Sequence, residues 1–498
     1  NNRPDPCRPR DKGKPEPRPR TTRESEGPIR AETSGNRGTQ PRGTRPSKGG
    51  PEGREPQQGN SAAPSRAGKL SPELLRVAER ARREPEGKFH SLAHLVDVGA
   101  LHRAYERVRG DAAVGVDKVS KTQYGDKLGE RLRELHERLV TQRWRHQPLL
   151  RVEIPKEDGK TRPIGISTVE DKVVQGALRE VLEAVYEQDF LECSHGFRPK
   201  RSAHDAIRAI DRAVWQGWVK VALEADIVAF FDSADRSALL EMIRQRVPDG
   251  ALLRLVSKCL RAGVMEGDQY SETVEGTAQG SSLSPLLANI YLHYVLDKWF
   301  EEQVKSRLAG RAVLVRYCDD FVMLFEHERD AERVMEVLPK RMGKYNLKLH
   351  PDKTRLLKLE KPRSKQPRGK GPATLDFLGF TLYWGRTRGR TWQMRAKTRR
   401  KSLRRSLQKT EEWCRWSRTQ RVKVQHAGLV KRIVGHYNYF GVNGNMASLR
   451  RYYNRVKLQW RKWLNQRSQR GRMTWQRYLG LLKSYPLPGP RICVPIWG

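Results

Sequence analysis

"VLVRYCDDFVMLF" occupies residues 313–325 and places two adjacent aspartates, Asp319 and Asp320, between two apolar runs. The runs over 313–317 and 321–325 predict antiparallel strands that are joined by a tight turn. Asp tolerates a positive φ, so a hairpin turn without further function is the simplest interpretation of an isolated Asp-Asp pair. A second acidic segment elsewhere in the chain favours a different interpretation.

That second segment is "WVKVALEADIVAFFDSADRSALLEMI", residues 218–243. It predicts a strand over 219–230 and a helix that begins near Asp235. Period-2 alternation puts Asp226 near the strand end, on the face opposite to Ala225 and Ile227. Carboxylates that converge repel one another unless hard cations hold them. We therefore predict that Asp226 meets the 319–320 turn around two Mg²⁺ ions, which can support in-line phosphoryl transfer.

The charge of the chain favours a polyanionic partner. Its 498 residues include 98 Lys and Arg against 57 Asp and Glu, a formal net charge of +41. Nucleic acid fits better than a membrane, because no run of about 18 uncharged apolar residues is present. The six cysteines form no CxxC pair, which argues against a zinc ribbon or a disulfide framework and suits a reducing, cytoplasmic compartment. No membrane partner is expected.

The pattern changes along the chain. Residues 1–69 contain one large aliphatic residue, Ile29, and are predicted to form a disordered, solvated basic tail. Helical periodicity begins at "SPELLRVAERARRE", with Ser71 as N-cap and Pro72 at the first helical position. Asp158-Gly159 predicts a β-hairpin. Mixed segments follow to about position 383, and a basic, Trp-rich, helical region comes next. The predicted fold class is α+β followed by an α-helical basic domain.

Seven segments occur in an order that resembles group II intron-encoded reverse transcriptases, also called maturases. They are "IPKEDGKTRPIGISTVEDKVVQGAL", "SHGFRPKRSAHDAI", "ADIVAFFDS", "GTAQGSSLSPLLANIYLHYVLDKW", "RYCDDFVML", "LKLHPDKT" and "LDFLGFTLYW". The resemblance covers about 92–475 and points to the bacterial type that lacks an HNH nuclease domain. It implies a right-hand polymerase fold: fingers and palm with an antiparallel sheet flanked by helices, then an α-helical thumb, or domain X. The implied division is a tail over 1–69, an amino-terminal extension and fingers over 70–215, a palm over 216–384, a thumb over 385–482 and a tail over 483–498.

The resemblance also implies a set of site residues. Asp226, Asp319 and Asp320 are the catalytic palm carboxylates and would hold two Mg²⁺ ions, with the backbone carbonyl of Ile227 as a further ligand. Phe231 lies where a bulky residue below the incoming sugar favours dNTP over rNTP, although one of Phe230 and Phe231 is expected to pack in the core. The implied dNTP-binding residues are Lys156, Arg162, Phe231, Gln279, Gly280 and Lys353. For the basic hairpin that carries Lys156 and Arg162, a solvated turn is the alternative.

The family more often has Ala where this chain has Cys318, and Pro where it has Ala278. We expect the Cys318 thiol to be sensitive to alkylation because the resemblance places it near the dNTP and the primer. We do not interpret this thiol as a nucleophile.

The basic region predicts nucleic-acid contacts. "RAKTRRKSLRR" (395–405) has seven basic residues in eleven and no acidic one, and we interpret it as a basic helix face, which is often only solvated but here suits phosphates. In "SLRRYYNRVKLQWRKWL" (448–464), Leu449, Val456 and Trp460 recur at helical spacing with Tyr453 and Trp463, which favours core packing over base stacking. The nucleic-acid contacts predicted in this region are Arg395, Lys397, Arg399, Arg400, Lys401, Arg404, Arg405, Arg450, Arg451, Arg455 and Lys457. The family resemblance of "GFRPKRS" implies a further contact, Arg198, near template or nucleotide.

The sequence therefore predicts an RNA-directed DNA polymerase that binds its intron RNA and aids splicing and intron mobility. Its expected partners are the intron RNA template, an RNA/DNA primer duplex and dNTPs. Both a monomer and a homodimer stay open. One alternative is an RNA-binding splicing factor without polymerase activity. Another is a domesticated relative that serves phage defence, a CRISPR array or repair.

Overall fold

The computed structural model describes residues 70–155, 161–266, 269–271, 281–362, 373–387, 391–467 and 473–496. The predicted tail over 1–69 lies outside these ranges. Helices and mainly antiparallel sheets alternate along the described residues, so the predicted mixed helix-and-sheet class is confirmed. Over these same ranges, no helix combines the length and the hydrophobicity that a membrane span requires.

The first part of the described chain is helical and ends in a hairpin and a long helix. Ser71 caps the first helix as predicted, because its Oγ accepts from the N–H of Leu74 at 3.4 Å. The predicted hairpin is also confirmed, since its two strands pair antiparallel. The elements are α1 (Pro72–Arg83), α2 (Val98–Arg107), α3 (Lys121–Gly125), α4 (Leu128–Val140), β1 (Leu149–Pro155), β2 (Thr161–Ile166) and α5 (Val169–Asp189).

The middle part contributes the strand that carries Asp226 and the helix that supports the aspartate turn. Its elements are α6 (Ala203–Trp215), β3 (Val221–Val228), α7 (Phe230–Ser233), α8 (Arg236–Arg246), α9 (Gly250–Leu260), β4 (Val264–Glu266), β5 (Gln269–Ser271) and α10 (Ser284–Leu292). The helix predicted to begin near Asp235 is α8, and Asp235 is its N-cap. The chain continues from α10 in a wider, π-helical form to Val304. β4 and β5 join β1 and β2 in a sheet of order β2-β1-β4-β5.

A central sheet is built around β3. The next elements along the chain are β6 (Ala312–Tyr317), β7 (Asp320–Phe325), α11 (Glu328–Gly343), β8 (Lys348–Leu349) and β9 (Arg355–Lys358). β6 and β7 form the predicted antiparallel pair. The sheet order is β6-β7-β3-β8, and β9 pairs with the first half of β3 while β8 pairs with its end.

The described residues of the carboxyl-terminal part combine a third sheet with four α-helices. Its elements are β10 (Leu375–Phe377), β11 (Phe380–Arg386), β12 (Trp392–Thr398), α12 (Arg400–Trp416), α13 (Val422–Phe440), α14 (Met446–Asn465) and α15 (Trp475–Ser484).

The interpretation of 395–405 as one helix face is wrong, because 395–398 lie on β12 and the helix begins at Arg400. The physical reason is that burial alternates from residue to residue, as in a strand with one face on a core. Met394, Ala396 and Thr398 are buried, whereas Lys397 is exposed. β12 pairs with β11, across the predicted domain boundary at 384/385.

Two hydrophobic cores lie on the two faces of the central sheet. Leu223, Ala225 and Ile227 of β3 belong to the first core, together with helices α5 and α8–α11. Ala222 belongs to the second core, which includes α6 and α12–α15. The predicted stripe on α14 is largely confirmed as core: Leu449, Val456 and Trp460 are fully buried, and Tyr453 and Trp463 pack partly buried against them. Hydrophobic packing therefore covers both faces of the central sheet and holds it in position.

Candidate active site

Three aspartates meet at one end of the central sheet. In the β3–β7 ladder the last pair is Asp226↔Asp320, and in the β6–β7 hairpin Asp320 pairs with Tyr317. Cross-strand partners share one face of a sheet, so Asp226, Asp320 and Tyr317 project to the same side. Asp319 occupies the two-residue turn with Cys318. The structure thus brings together the three carboxylates that the sequence placed 93 positions apart, from 226 to 319.

The geometry of the turn depends on Cys318. Its φ of 59° lies in the left-handed region, which residues with a Cβ rarely adopt. Cys318 is 3% exposed and belongs to the first core. Burial raises the pKa of its thiol well above the usual range, and the charge of Asp319 adds to this. The expectation of an alkylation-sensitive thiol is therefore wrong, because the sulfur is both buried and held protonated.

The carboxylates affect one another electrostatically. Asp320 is accessible to solvent as a residue, and its carboxyl lies close to those of Asp319 and Asp226. Loss of hydration there raises the pKa of Asp320 to about 8, with further increases from the charges of Asp319 and Asp226. A hydrogen bond with Asp226 also favours protonated Asp320. In this state the cluster carries less negative charge than three ionised carboxylates.

Lys353 supplies a positive charge at the same place. Its Nζ contacts Asp226 Oδ2, and its side chain is 57% exposed while that of Asp226 is 20% exposed. The backbone brings it there: the N–H of His350 donates to the Asp226 carbonyl at 2.8 Å, and the N–H of Lys353 donates to the carbonyl of His350 at 3.2 Å. Lys353 thus lies against the Asp226 carboxylate. The sequence predicted Lys353 as a dNTP-binding residue and did not predict this contact.

The donor set suits a hard divalent cation. Carboxylate and backbone carbonyl oxygens are the ligands that Mg²⁺ prefers. Loss of hydration raises the pKa of Asp320 first, and the charges of Asp319 and Asp226, which a cation would offset, raise it further. Throughout the described ranges, no three His, Cys, Asp or Glu side chains are already arranged as a metal-holding group. Asp226 is instead engaged by Lys353. A cation that binds Asp226 therefore has to displace an ammonium group.

The two phenylalanines after β3 have separate environments. Phe230 is 2% exposed and packs edge-on against Tyr291, with ring centroids 5.9 Å apart. Phe231 is only partly buried and meets the Phe230 ring edge-on at 5.4 Å. The expectation that one of the pair belongs to the core is confirmed for Phe230. Phe231, five residues after Asp226 in the sequence, stays the predicted sugar-contacting residue.

Comparison with known proteins gives consistent matches. Residues 154–382 match the family described as reverse transcriptase (RNA-dependent DNA polymerase). The chain is 33% identical to protein YkfC of Escherichia coli (strain K12) over 286 residues, which are 50% of this chain and 73% of that protein. The chain belongs to the reverse transcriptase family.

Two further relatives place this reverse transcriptase with intron proteins. It is 42% identical to group II intron-encoded protein LtrA of Lactococcus lactis subsp. cremoris over 179 residues, 36% of this chain and 29% of LtrA. Nuclear intron maturase 2, mitochondrial, of Arabidopsis thaliana is 31% identical over 175 residues, 28% of this chain and 24% of that protein. The chain thus spans less than a third of the length of either relative. The predicted resemblance to group II intron reverse transcriptases and maturases is confirmed, and with it the class of RNA-directed DNA polymerase.

Several predicted nucleotide contacts of this reverse transcriptase lie outside the described residues. Lys156 follows β1 in the sequence, and Gln279 and Gly280 come shortly before α10. Arg162 lies on β2, but its side chain is outside the described part of the chain. These four residues stay predictions.

Arg198 has a different environment from the predicted one. Its side chain is 4% exposed, and Nε and Nη2 donate to Glu187 Oε1 at 3.0 and 2.8 Å. Nη1 donates to the carbonyls of Leu191 and Ser194 at 2.8 and 2.9 Å. A guanidinium that is buried and occupied in this way cannot reach template or nucleotide. The predicted nucleic-acid contact at Arg198 is corrected to a structural role in the 190–198 loop.

The basic residues of the carboxyl-terminal part divide by exposure. Arg399 is half-buried, and its Nε lies 3.0 Å from Asp376 Oδ2. The ammonium groups of Lys397 and Lys457 each lie 4.8 Å from the centroid of a tyrosine ring, those of Tyr383 and Tyr453. Arg395, Arg399, Arg405 and Lys457 are half-buried, whereas Lys397, Arg400, Lys401, Arg404, Arg450, Arg451 and Arg455 are exposed. The exposed group is the one that a phosphate backbone can reach.

Proposed function

We propose that this reverse transcriptase copies RNA into DNA at Asp226, Asp319 and Asp320, using two Mg²⁺ ions and dNTPs. The observation that carries the proposal is the Asp226↔Asp320 pair beside the 318–319 turn. When bound, the ions would activate the primer 3′-hydroxyl and stabilise the leaving pyrophosphate. In this proposal Asp226 and Asp319 bind the ions directly, and the third carboxylate, Asp320, completes the negatively charged cluster.

The remaining contacts follow from the position of each residue. Ile227 is one residue beyond the last β3–β7 pair, which supports its backbone carbonyl as an additional oxygen ligand. The partly buried ring of Phe231 would lie under the sugar and exclude a 2′-hydroxyl. Lys353, together with Lys156, Arg162, Gln279 and Gly280, would bind the triphosphate, whose charge the cations offset. Lys353 would then exchange its contact with Asp226 for one with the nucleotide.

A right-hand arrangement would provide the surface that binds a template–primer duplex. We infer that the sheet of β1, β2, β4 and β5 belongs to the fingers, that the central sheet is the palm, and that α12–α15 form the thumb. The exposed basic residues of α12 and α14, with Lys397, would contact phosphates of the RNA template and the RNA/DNA primer duplex. The same surface would dock on the folded intron RNA and thereby aid splicing and mobility, since folded RNA is recognised largely by shape and backbone.

Primer extension tests the polymerase. The wild-type chain should incorporate dNTPs on a poly-rA/oligo-dT duplex with Mg²⁺, and Asp319→Ala should abolish incorporation while intron RNA binding stays within about twofold. Asp232→Ala is a matched control, because Asp232 is an exposed acid on the adjacent α7, and it should keep activity. If the wild type binds intron RNA but incorporates no dNTP at any Mg²⁺ or Mn²⁺ concentration, the chain is a splicing factor without polymerase activity.

A further inference from the structure

Arg316 lies beside the aspartate turn in sequence but beneath it in space. In the central sheet Arg316 pairs with Phe321, which pairs in turn with Ala225. Phe321 and Ala225 belong to the first core, so Arg316 projects to the face opposite to Asp226 and Asp320. Its side chain is 0% exposed. Arg316 is therefore not a counter-ion of the three carboxylates, and its charge needs another explanation.

The guanidinium makes five hydrogen bonds, one for each of its N–H donors. Nε and Nη2 donate to the two carboxylate oxygens of Asp297 at 2.7 and 2.5 Å. Nη1 donates to Asn289 Oδ1 at 2.9 Å, and Nη2 donates to Ser194 Oγ at 2.9 Å. The fifth bond runs from Nη1 to the backbone carbonyl of Cys318 at 3.1 Å. One rigid, planar group thus joins the aspartate turn to the continuous helix that carries Asn289 and Asp297 and to the loop that carries Ser194.

The partners of Arg316 are themselves tied together. Asn289 of α10 donates from Nδ2 to the carbonyl of Gly196 at 2.7 Å. The loop that contains Gly196 is bonded to β6, because Arg316 N–H donates to the Cys193 carbonyl and His195 N–H donates to the Arg316 carbonyl, both at 2.8 Å. A Cβ at Gly196 would lie 2.4 Å from the backbone nitrogen of Cys318. The loop over 193–196 therefore lies so close to the 318–319 turn that only glycine fits at position 196.

We propose that Arg316 is a positioning residue, which fixes the Cys318 carbonyl and thereby the direction of the Asp319 and Asp320 carboxylates. The inference rests on the proposed polymerase function and extends it to the support of the site. The turn requires such support for two reasons. Cys318 is in a left-handed conformation that its Cβ disfavours, and the carboxylates that the turn presents repel Asp226 across the strands.

A second buried arginine separates positioning from general stabilisation. Arg246 of α8 is 4% exposed, and its Nε and Nη2 donate to Asp189 at 2.9 and 3.1 Å. Nη2 also donates to the carbonyl of Ala81 at 2.9 Å. Arg246 thus has the same chemistry as Arg316, a bidentate carboxylate and backbone carbonyls, but it joins α8 to α1 and α5. The variants Arg316→Lys and Arg246→Lys each remove a bidentate pair with a buried aspartate and contacts with backbone carbonyls, one at the turn and one away from it.

The test compares stability with cation binding and turnover. Both lysine variants should lower the Tm. Only Arg316→Lys should raise the dissociation constant for Mn²⁺, measured by EPR of the free ion, and it should do so by about 10- to 100-fold, as loss of support for metal ligands does. Its kcat in primer extension should fall by about 10²-fold, with the KM for dNTP and the affinity for RNA little changed. Arg246→Lys should retain wild-type Mn²⁺ affinity and kcat at a temperature at which it is folded.

The outcomes are distinguishable. If Arg316→Lys binds Mn²⁺ as the wild type does, or loses no more activity than Arg246→Lys, Arg316 only stabilises the fold and the inference is overturned. If the wild type itself neither binds Mn²⁺ nor extends primers, the proposed function fails instead. Should Arg316→Lys not fold, Ser194→Ala decides, because it removes one bond and leaves the Arg316–Asp297 pair intact. It should raise the Mn²⁺ dissociation constant severalfold, and an unchanged constant refutes the positioning role.

Discussion

Asp226 and Asp320 are direct cross-strand partners at the last pair of the β3–β7 ladder. Side chains so placed have Cβ atoms about 4.5–5.5 Å apart, and two like charges at that distance destabilise a sheet. Two features of the chain relieve the repulsion: the raised pKa of Asp320, caused first by loss of hydration, and the contact of Lys353 with Asp226. A proton on Asp320 and the ammonium group of Lys353 thus offset part of the negative charge of the site, and a bound cation can replace both.

Replacing Lys353 should change the affinity for divalent cations. Because its ammonium occupies Asp226, it competes with any cation that binds there. Lys353→Gln should therefore tighten Mn²⁺ binding about two- to fivefold, equivalent to the ~0.5–1 kcal/mol of a partly exposed ion pair. EPR titration of free Mn²⁺ measures this. Lys358→Gln removes an exposed pair with Glu328, 3.0 Å long, from the same sheet and should leave the affinity unchanged. Weaker binding to Lys353→Gln would contradict the competition.

Substitutions of Cys318 should depend on backbone conformation. Its φ of 59° costs a residue with a Cβ about 1–2 kcal/mol and disfavours a β-branched side chain further. Cys318→Gly should keep at least half of the primer-extension activity, whereas Cys318→Val should lower the Tm and abolish extension. Cys259→Val is the matched control, because Cys259 is also buried but lies on the helix α9. Equal losses in the two valine variants would refute the conformational explanation.

The sequence predicts the aspartate cluster because its signals are local. Alternation in 219–230 and the Asp-Asp turn define which face and which strand end each carboxylate occupies. The same alternation places Arg316 on the sheet face opposite to Asp320. The two-residue turn pairs Tyr317 with Asp320, and therefore pairs Arg316 with Phe321. Its partner Asp297 lies on the π-helical continuation of α10, and no local pattern links the two.

Arg198 marks the limit of such reasoning. A basic residue inside a segment that resembles an active-site block suggests a ligand contact. Its actual partners, Glu187 on α5 and the carbonyls of its own loop, follow from tertiary packing. The strand over 395–398 was missed for a related reason: its alternation covers few residues and continues directly into a helix with the same basic composition.

The exposed cations of α12 should contribute to RNA affinity through phosphate contacts. Changing Arg400, Lys401 and Arg404 together to Gln should weaken binding and reduce the slope of log K against log salt concentration by about 2 to 3. Filter binding at several salt concentrations measures the slope. Changing Arg244, Arg254 and Arg261 to Gln is the control, because these exposed residues belong to α8 and α9 or follow them, on the other side of the central sheet. A slope that is equal in both triple variants would refute the placement of the RNA.

Acidification should destabilise the fold through His436. This residue is 7% exposed and stacks on Tyr452 with ring centroids 3.8 Å apart, and its Nε2 has no hydrogen-bond partner among the residues that the structure describes. Burial lowers the pKa of His436 to about 3 from 6.5. Between these values the unfolded chain binds the proton and the folded chain does not, so stability is complete above pH 6.5 and is lost as the pH falls below it.

The variant His436→Phe isolates that contribution. Between pH 7 and pH 5 the wild type should lose about 2 kcal/mol of unfolding free energy at this residue, and His436→Phe should lose correspondingly less over the same interval. Urea unfolding at the two pH values measures the difference. Phe440→Leu changes a neighbour whose ring lies 4.8 Å from His436 and introduces no titratable group, so it should lower stability equally at both pH values. If His436→Phe keeps the full wild-type pH dependence, the acid sensitivity originates in other buried groups.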